Sequence, residues 1–325
     1  MHALEMINIA RRLPAELIFT LCMIAGMLFL STAFHLPISL PSGSKAAFVG
    51  IHYLYPLLGV AIWCIVAALG QRRRIASTFL IALPCYAVVL LCHFNIKLWA
   101  HHINPLLYDT LYWHIDQALW PLVDFCMMAR RAIAVLIPLD SNFYMLGFIA
   151  MFYGSFCYHA VFTPSRFREL FLAALLFQGL GAVSYLMFPA LGPFIYERGL
   201  DAAATQAQEG MMHSYLAAQA TGRAWFITQG SAQLTAGLAA MPSLHSGGAF
   251  LFLMFAWRHG KVLVPIYALI FGFILIAAVA TRWHYVIDIP AGIALGWLSL
   301  RIANLLARPR NDRAVTGGTT LPAHA

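Results

Sequence analysis

Long apolar runs separated by short polar segments make up most of the chain. Runs close to the roughly 20 residues needed to cross a hydrocarbon core occur at about 15–34, 46–70, 75–98, 143–163, 168–188, 244–258, 262–282 and 285–307. No long alternating pattern of the kind found in membrane β-barrels is present. The pattern therefore predicts an all-α fold, a polytopic membrane helix bundle of about eight transmembrane spans.

Composition supports a membrane protein. Of the 325 residues, 62% are hydrophobic and only 10% are charged, and the mean hydropathy is +0.77. These values exclude a disordered chain and an ordinary soluble domain. The first apolar run, from Ala15 to Phe34, is longer than the ~7–15 residues of a signal-peptide core, so we expect an uncleaved first span.

The basic residues predict orientation rather than nucleic-acid binding. Twenty Lys and Arg against twelve Asp and Glu give a formal charge of +8, but they are scattered between apolar runs, so no nucleic-acid partner is expected. Cytoplasmic loops are enriched in Lys and Arg, and the distribution favours both termini in the cytoplasm. The preference for Arg over Lys suggests a bacterial genome rich in G and C, hence an inner membrane; a secretory-pathway membrane would be topologically equivalent.

Three regions are predicted along the chain. Residues 1–142 carry N-terminal spans and, from 105, an interfacial or re-entrant segment; 143–307 form a membrane core; 308–325 form a disordered cytoplasmic tail. Within 105–142, Asp109, His114 or Asp116 could instead line the path by which substrate enters. Residues 189–240 read as a long loop, of the kind that serves as a lid or binding loop or is disordered.

Two short polar stretches stand out as candidate chemistry, 241–248 (MPSLHSGG) and 281–288 (TRWHYVID). Each is predicted to open a membrane helix. The 38 residues between His245 and His284 hold a complete pair of spans. Both histidines are therefore predicted to emerge on the same membrane face, whatever the absolute topology.

His284 and Asp288 are four residues apart, which on a helix places them within side-chain reach. An ionisable residue at the centre of a membrane helix costs about 2.5–3.5 kcal/mol on insertion scales, so Asp288 needs a partner or a wet cavity. A carboxylate on one ring nitrogen leaves the other as a nucleophile or base. A structural pair that anchors a helix end is the alternative.

The stretch around His245 predicts an anion site. Ser243 can cap a helix, glycines at 247 and 248 allow close approach of a backbone or a ligand, and the free N–H groups of a first turn favour phosphate. We predict Ser246, Gly247 and Arg282 as phosphate-binding residues. Alternatively, His245 only contacts the membrane interface. A catalytic role is favoured because the two motifs are expected to lie on the same side of the helix cluster.

These motifs carry a resemblance. Pro-Ser-Leu-His at 242–245, followed a helical hairpin later by His-Tyr-x-x-Asp at 284–288, resembles the second and third signature motifs of the type 2 phosphatidic acid phosphatase superfamily. The stretch Phe188 to Pro193 is similar to what many members show after the preceding span. The resemblance covers roughly 143–307 and implies a six-helix-type lipid phosphatase core. It also implies that His284 is the nucleophile that forms a phosphohistidine, that Asp288 orients it, and that His245 protonates the leaving group. By the same resemblance, Ser243 is expected to bind phosphate oxygens.

The chain departs from the family pattern at three basic positions. The usual lysine and arginine of the first motif correspond to Gly181 and Phe188, and the usual arginine before the third motif corresponds to Ala278. Arg282 could substitute for a missing phosphate ligand, with Arg198 or Arg223 as weaker choices. The compact His-Tyr-x-x-Asp form is instead similar to the branch that contains inositol phosphorylceramide synthases, which transfer a headgroup between lipids.

The sequence thus predicts an integral membrane enzyme that uses no cofactor and no metal and acts on a phospholipid or an isoprenyl (pyro)phosphate. Its substrate face would be the periplasm, and its partners would be a lipid phosphate and membrane lipids. Hydrolysis and headgroup transfer both stay open. Alternatives of other classes are a transporter with intramembrane His and Asp, a serine hydrolase that uses Ser243, and a zinc site formed by His245, His284 and Asp288.

Overall fold

The computed structural model describes residues 13–42, 73–137, 142–235 and 238–307. The predicted span 46–70 and the predicted tail 308–325 lie outside the described residues. Within the described ranges the chain forms α-helices and short 3₁₀ turns and no strand, as the apolar pattern predicts. The α-helices are α1 (Ala15–Ala33), α2 (Arg73–Ile103), α3 (Asp109–Ala118), α4 (Trp120–Leu136), α5 (Asn142–Phe162), α6 (Pro164–Met187), α7 (Ala202–Thr221), α8 (Arg223–Gln229), α9 (Leu244–His259), α10 (Val264–Ala280) and α11 (Asp288–Ala307).

Six described helical segments are long and apolar enough to cross a membrane, which indicates an integral membrane protein. They lie at Ala15–Ala33, Ile81–Ile103, Phe143–Phe162, Pro164–Met187, Lys261–Ala280 and Asp288–Ala307. Helix α9, predicted as a further span, has only 16 residues. Of the eight spans predicted from the sequence, the described residues thus support six by length and hydropathy.

Helix α6 forms the centre of the bundle. It packs against α2 on one side and α11 on another, and α1, α5 and α9 also contact it. Its apolar residues from Phe167 to Phe177 are almost completely buried. Proline at the first position of α6 costs no hydrogen bond, because the first N–H groups of a helix have no intrahelical partner.

Helices α9 and α11 approach each other closely because they meet at glycines. A Cβ added at Gly292 would overlap the carbonyl oxygen of Ser243, and one added at Gly247 would overlap the carbonyl oxygen of Gly292. Small residues at such contacts let two membrane helices pack backbone to backbone. The contact lies at the N-terminal ends of both helices, next to the two predicted motifs.

The other ends of these helices form a second polar layer. Arg168, near the start of α6, contacts buried Glu16 of α1 through Nε at 2.7 Å. Asn304, near the end of α11, donates a hydrogen bond to Glu169 at 2.8 Å. Because α9 runs away from His245 and α10 runs back toward His284, the motifs lie at the opposite end of the bundle from this layer.

One segment differs from its prediction, and a second has a helical form that the prediction left open. Residues 189–240, predicted as a long loop, contain α7 and α8; Asp201 caps α7 by accepting a hydrogen bond from Ala204 N at 3.0 Å. The segment predicted as interfacial or re-entrant forms α3 and α4, and α4 packs along α10. Ala, Gln and Thr carry no apolar stripe, which is why the pattern alone did not reveal α7.

Candidate active site

A cavity of about 370 Å³ lies where the two motifs meet. Both His245 and His284 line it, so the predicted placement of the two histidines on one side agrees with the structure. The remaining wall comes from five helices and the connecting segments; its residues are Lys97, Tyr144, Met145, Tyr185, Leu191, Ala203, Ala204, Ala207, Met211, Thr235, Leu238, Ala239, Leu244 and Trp283.

A sharp turn after α10 carries His284 into the cavity wall. Arg282 adopts a left-handed backbone conformation, φ 59°, which a non-glycine residue adopts only at a cost. Neighbouring backbone bonds fix the turn: Arg282 N donates to Val279 O at 3.0 Å, and His284 N donates to Ala278 O at 3.2 Å. Ala278, which supplies this carbonyl, is fully buried.

Hydrogen bonding fixes the orientation of the His284 ring. Its Nδ1 lies 2.8 Å from the carbonyl oxygen of Ala240 and 3.3 Å from Oδ2 of Asp288. A carbonyl oxygen can only accept, so Nδ1 carries the hydrogen. Nε2 of the neutral ring is therefore left with its lone pair, as a nucleophile requires.

The contact between His284 and Asp288 exists, but it does not arise from a shared helix. Helix α11 begins at Asp288, and His284 lies in the turn before it. Asp288 Oδ2 also accepts a hydrogen bond from Tyr285 N at 2.8 Å, which closes the turn. The prediction of a helical i,i+4 pair is wrong in its local structure, and the carboxylate holds the turn as well as the ring.

His245 lies in the first turn of α9, and aromatic rings hold it. The rings of Tyr144 and Phe148 approach it edge to face, with centroid distances of 5.0 Å each. These contacts leave the ring at the cavity wall, where Leu244 precedes it. The geometry is compatible with proton exchange between His245 and a group bound in the cavity.

Three predicted phosphate ligands lie behind the cavity wall. Ser243 and Ser246 are both fully buried, and the Ser243 hydroxyl donates to the Ser246 hydroxyl at 3.0 Å. Gly247 faces the backbone of α11. The close approach expected at this glycine is that of another helix, and none of the three residues lines the cavity. The buried hydroxyl of Ser243 also gives no support to a serine hydrolase.

Arg282 is paired rather than free. Its side chain is fully buried, with Nη1 3.1 Å from Asp116 Oδ2 and Nε 3.4 Å from Glu197 Oε2. The guanidinium also lies over the Trp113 ring, 5.4 Å from its centroid. Arg282 is not among the residues that line the cavity. Its charge is thus committed to the neighbouring helix α3, contrary to the expectation that it would meet phosphate.

Helix α3 braces both loops that border the site. Asp109 accepts hydrogen bonds from Leu191 N at 3.0 Å, Gly192 N at 2.9 Å and the Tyr285 hydroxyl at 2.8 Å. Burial raises the pKa of Tyr285, so the phenol keeps the proton that it donates.

Asp116, two turns further along α3, accepts from Val286 N at 2.8 Å. Burial raises the pKa of Asp116, while its hydrogen bonds to Val286 and Arg282 act in the opposite direction. Neither Asp109 nor Asp116 lines the cavity, and His114 is exposed. Asp109 and Asp116 therefore position the loops that border the site. Their spacing of seven residues, with Tyr112 between them, was the signal for one buried helix face.

Lys97 is a basic residue of the cavity wall that belongs to neither motif. It lies on α2, within the part of the chain that precedes the predicted core, and its side chain lines the cavity together with both histidines. The available signal was a lysine near the end of an otherwise apolar run, which in a membrane helix points to a functional role.

Helix α7 covers one side of the cavity with small apolar side chains. Ala203, Ala204, Ala207 and Met211 face the space. The Gln208 side-chain amide donates to Thr281 O at 2.8 Å, which joins the helix to the turn that carries His284. This region, expected to be a lid, a binding loop or disordered, thus contains a helix that borders the cavity.

The donor set does not favour a metal. Among the residues that the structure describes, no three His, Cys, Asp or Glu side chains are grouped so as to hold a metal ion. His245, His284 and Asp288 all belong to that part of the chain, so the zinc alternative lacks a ligand set.

The comparisons with known proteins agree with the geometry at the level of a family. A family model described as the PAP2 superfamily matches residues 120–302. No match to a curated protein and none to a solved structure was found. The matched range covers more than half of the chain and contains His245, His284 and Asp288. The chain therefore belongs to the PAP2 superfamily, whose members are generally phosphatases and phosphotransferases acting on lipid phosphates.

Proposed function

We propose that this protein is a lipid phosphatase or phosphotransferase that works through a phosphohistidine on His284. The observation that carries the proposal is the orientation of the His284 ring, whose Nδ1 is held by Ala240 O at 2.8 Å. The free Nε2 belongs to a residue that lines a cavity shared with a second histidine. A fixed nucleophile next to a group that can exchange protons is what covalent phosphoryl transfer requires.

The proposed reaction has two steps. Nε2 of His284 attacks phosphorus, a P–N bond forms, the P–O bond to the leaving group breaks, and protonated His245 gives its proton to the leaving oxygen. Water or an alcohol then attacks the phosphohistidine and gives its proton to His245. The P–N bond breaks and its electron pair returns to Nε2. Neither step needs a metal.

Asp288 and the mouth of α9 support the charges that develop. The Asp288 carboxylate, 3.3 Å from Nδ1, stabilises the positive ring that forms on phosphorylation. The backbone N–H groups of the first turn of α9, where Leu244 and His245 line the cavity, can donate to phosphoryl oxygens. Ser243, Ser246 and Gly247 act indirectly in this proposal, because they shape that helix mouth from behind.

The cavity fits a phosphate attached to an apolar body. Its polar lining residues include Lys97 and the two histidines, while α7 supplies alanine methyl groups and Met211. Its volume of about 370 Å³ lies at the lower end of the ~300–1,000 Å³ typical of ligand sites. We infer a phospholipid or an isoprenyl (pyro)phosphate whose headgroup enters the cavity while its chains stay in the bilayer.

Headgroup transfer, as in the inositol phosphorylceramide synthase-like branch, is the second candidate. The apolar wall formed by α7 favours transfer. Exclusion of water from the site slows hydrolysis of the phosphohistidine, so that an alcohol acceptor can attack it instead. Dependence of the phosphorus-containing product on an added alcohol distinguishes transfer from hydrolysis.

We further propose a bacterial inner-membrane protein with both termini in the cytoplasm and the cavity facing the periplasm. The support is the position of Arg166, Arg168, Arg258 and Lys261, which all lie near the ends of helices opposite the cavity. The proposed organisation keeps 143–307 as the catalytic core and 1–142 as the N-terminal region; the family match begins within that region, at residue 120, where α4 begins.

The test uses purified protein in detergent with a chelator present. Phosphatidic acid and an isoprenyl pyrophosphate are offered, and released phosphate and acid-labile phosphohistidine are measured. Wild type should form both, and His284→Ala should form neither. His245→Ala should lose turnover, whereas His114→Ala, which changes an exposed histidine away from the cavity, should behave as wild type. Full activity of His284→Ala would refute the mechanism.

A further inference from the structure

Lys97 is a basic residue inside the helix bundle, where its side chain lines the cavity. It lies near the C-terminal end of α2, in a segment whose composition suits a membrane span. No ion pair or hydrogen bond of its ammonium group with another described residue is present, and its nearest aromatic neighbour is the Tyr185 ring, 5.9 Å from Nζ to centroid. An unpaired charge is costly at such a place, so the ammonium group needs an anion or water in the cavity that it lines.

Bonds between α2 and α6 fix the height of Lys97 in the bundle. One turn before it, His93 Nδ1 contacts Gln178 O at 2.9 Å; two turns after it, Asn104 Nδ2 donates to Leu186 O at 2.8 Å. Lys97 therefore faces the part of α6 between these two contacts. That part contains Gly181 and Tyr185, and Tyr185 lines the cavity together with Lys97.

The same part of α6 lacks a basic residue of its own. A Cβ at Gly181 would overlap the Leu244 side chain, so the space beside this glycine is filled by the residue before His245. Phe188 is largely exposed and Ala278 is buried. Arg282 is paired with Asp116 at 3.1 Å. Among the described residues, Lys97 is thus the one Lys or Arg whose side chain lines the cavity.

We propose that the Lys97 ammonium group binds the phosphoryl oxygens of the substrate in the cavity that Lys97 and His284 both line. This inference rests on the proposed function, and it deepens that proposal by naming the cation of the site. During transfer of a phosphate monoester, negative charge is spread over the three equatorial oxygens of the phosphoryl group, and a fixed ammonium group beside them stabilises it. The cation comes from α2, outside the family match at 120–302, so the N-terminal region completes the site.

The experiment measures anion binding and turnover separately in the full chain. Orthovanadate serves as the probe because it mimics the transferring phosphoryl group. Its affinity is measured by calorimetry, and inhibition is measured with phosphatidic acid as substrate. Lys97→Met and Lys97→Gln should each weaken vanadate binding about tenfold or more, and Lys97→Arg should bind within a few fold of wild type. In turnover, kcat/KM should fall at least 100-fold for the two neutral variants.

Lys261→Met is the matched control, because Lys261 is exposed near the start of α10, at the far end from the cavity. It should leave vanadate binding and kcat/KM unchanged. Melting temperatures of all variants show whether each is folded; if the methionine variant does not fold, the glutamine variant gives the answer, and Lys97→Arg gives it if neither neutral variant folds.

The outcomes separate the two proposals. If wild type binds vanadate through Lys97 but forms no phosphohistidine, the cation assignment stands and the His284 mechanism fails. If phosphohistidine forms and the folded neutral variants bind vanadate within twofold of wild type, the Lys97 proposal is overturned and the mechanism stands. Lack of vanadate binding by wild type also overturns it. If neither neutral variant folds, loss of vanadate binding in a folded Lys97→Arg variant, which keeps the charge, overturns it as well.

Discussion

Arg282 and Asp116 form an ion pair of 3.1 Å in which both side chains are completely buried. The two residues come from distant parts of the chain, α3 and the turn before α11. The pair fixes the residue two positions before His284, the proposed nucleophile. Asp116 also accepts a hydrogen bond of 2.8 Å from the backbone N–H of Val286, two positions after His284. The Asp116 carboxylate thus contacts the turn that carries His284 on both sides of that residue.

Asp116→Asn should destabilise the protein and lower its activity. Removing one partner of a buried ion pair typically costs about 3–5 kcal/mol. Arg282 keeps Glu197, with Oε2 3.4 Å from Nε, so we expect a loss toward the lower end of that range. Thermal unfolding in detergent measures the loss. The exposed pair of Arg198 and Glu209 provides the control: their side chains are 80% and 60% exposed, so Glu209→Gln should have little effect. An Asp116→Asn protein as stable as wild type would contradict the role assigned to the pair.

Much of the architecture could be predicted from the sequence because apolar runs of membrane length have few alternatives. The pairing of the two histidines could be predicted because a hairpin of two spans returns the chain to the same face. Helix α7 could not, because its alanines and glutamines have no apolar period. Its structure depends on the cap at Asp201 and on the contact between Gln208 and Thr281.

The candidate site was predictable only as far as its motifs. His245, His284 and Asp288 were identified because a local pattern contains them. Lys97 lies outside every motif and reaches the cavity through packing of α2 on α6, which no local pattern encodes. Arg282 was predicted to bind phosphate because it is a basic residue close to a motif. In the structure its side chain is paired with Asp116, which lies 166 positions away in sequence.

Asp288→Asn should reduce turnover less than His284→Ala does. The Ala240 carbonyl, at 2.8 Å from Nδ1, still fixes the tautomer when the carboxylate, at 3.3 Å, is replaced. What is lost is the negative charge beside a ring that becomes positive on phosphorylation. We expect a fall in kcat of roughly 100-fold, similar to the loss of one electrostatic contact in other enzymes.

Rapid-quench measurement of phosphohistidine checks this prediction. The Asp288→Asn variant should form the phosphohistidine slowly but to a detectable level, and His284→Ala should form none. If both variants are equally inactive although folded, the carbonyl of Ala240 does not suffice to orient the ring.

Gly292→Ala should separate α9 from α11 and displace His245. The added Cβ would overlap the carbonyl oxygen of Ser243, an atom of the backbone that cannot rotate away. Overpacking of this kind typically costs about 1–3 kcal/mol. Gly272→Ala on α10 is the control, because nothing lies within 4 Å of its Cβ position. The pair of variants is compared by melting temperature and kcat; equal behaviour would show that the close contact of the two helices is dispensable.

Ala207→Phe should change which substrates the enzyme accepts. Ala207 lies on α7 and lines the cavity, which has about 370 Å³ for a bound group. A phenyl ring there narrows the space next to the apolar wall while the histidines stay in place. If the chains of the lipid pass along α7, KM should rise about tenfold for long-chain phosphatidic acid and much less for a dihexanoyl analogue.

Gln206→Phe, at an exposed neighbouring position that does not line the cavity, should leave both KM values unchanged. An equal rise for both substrates would instead mean that α7 borders the headgroup itself, and the path of the chains would then have to lie between other helices.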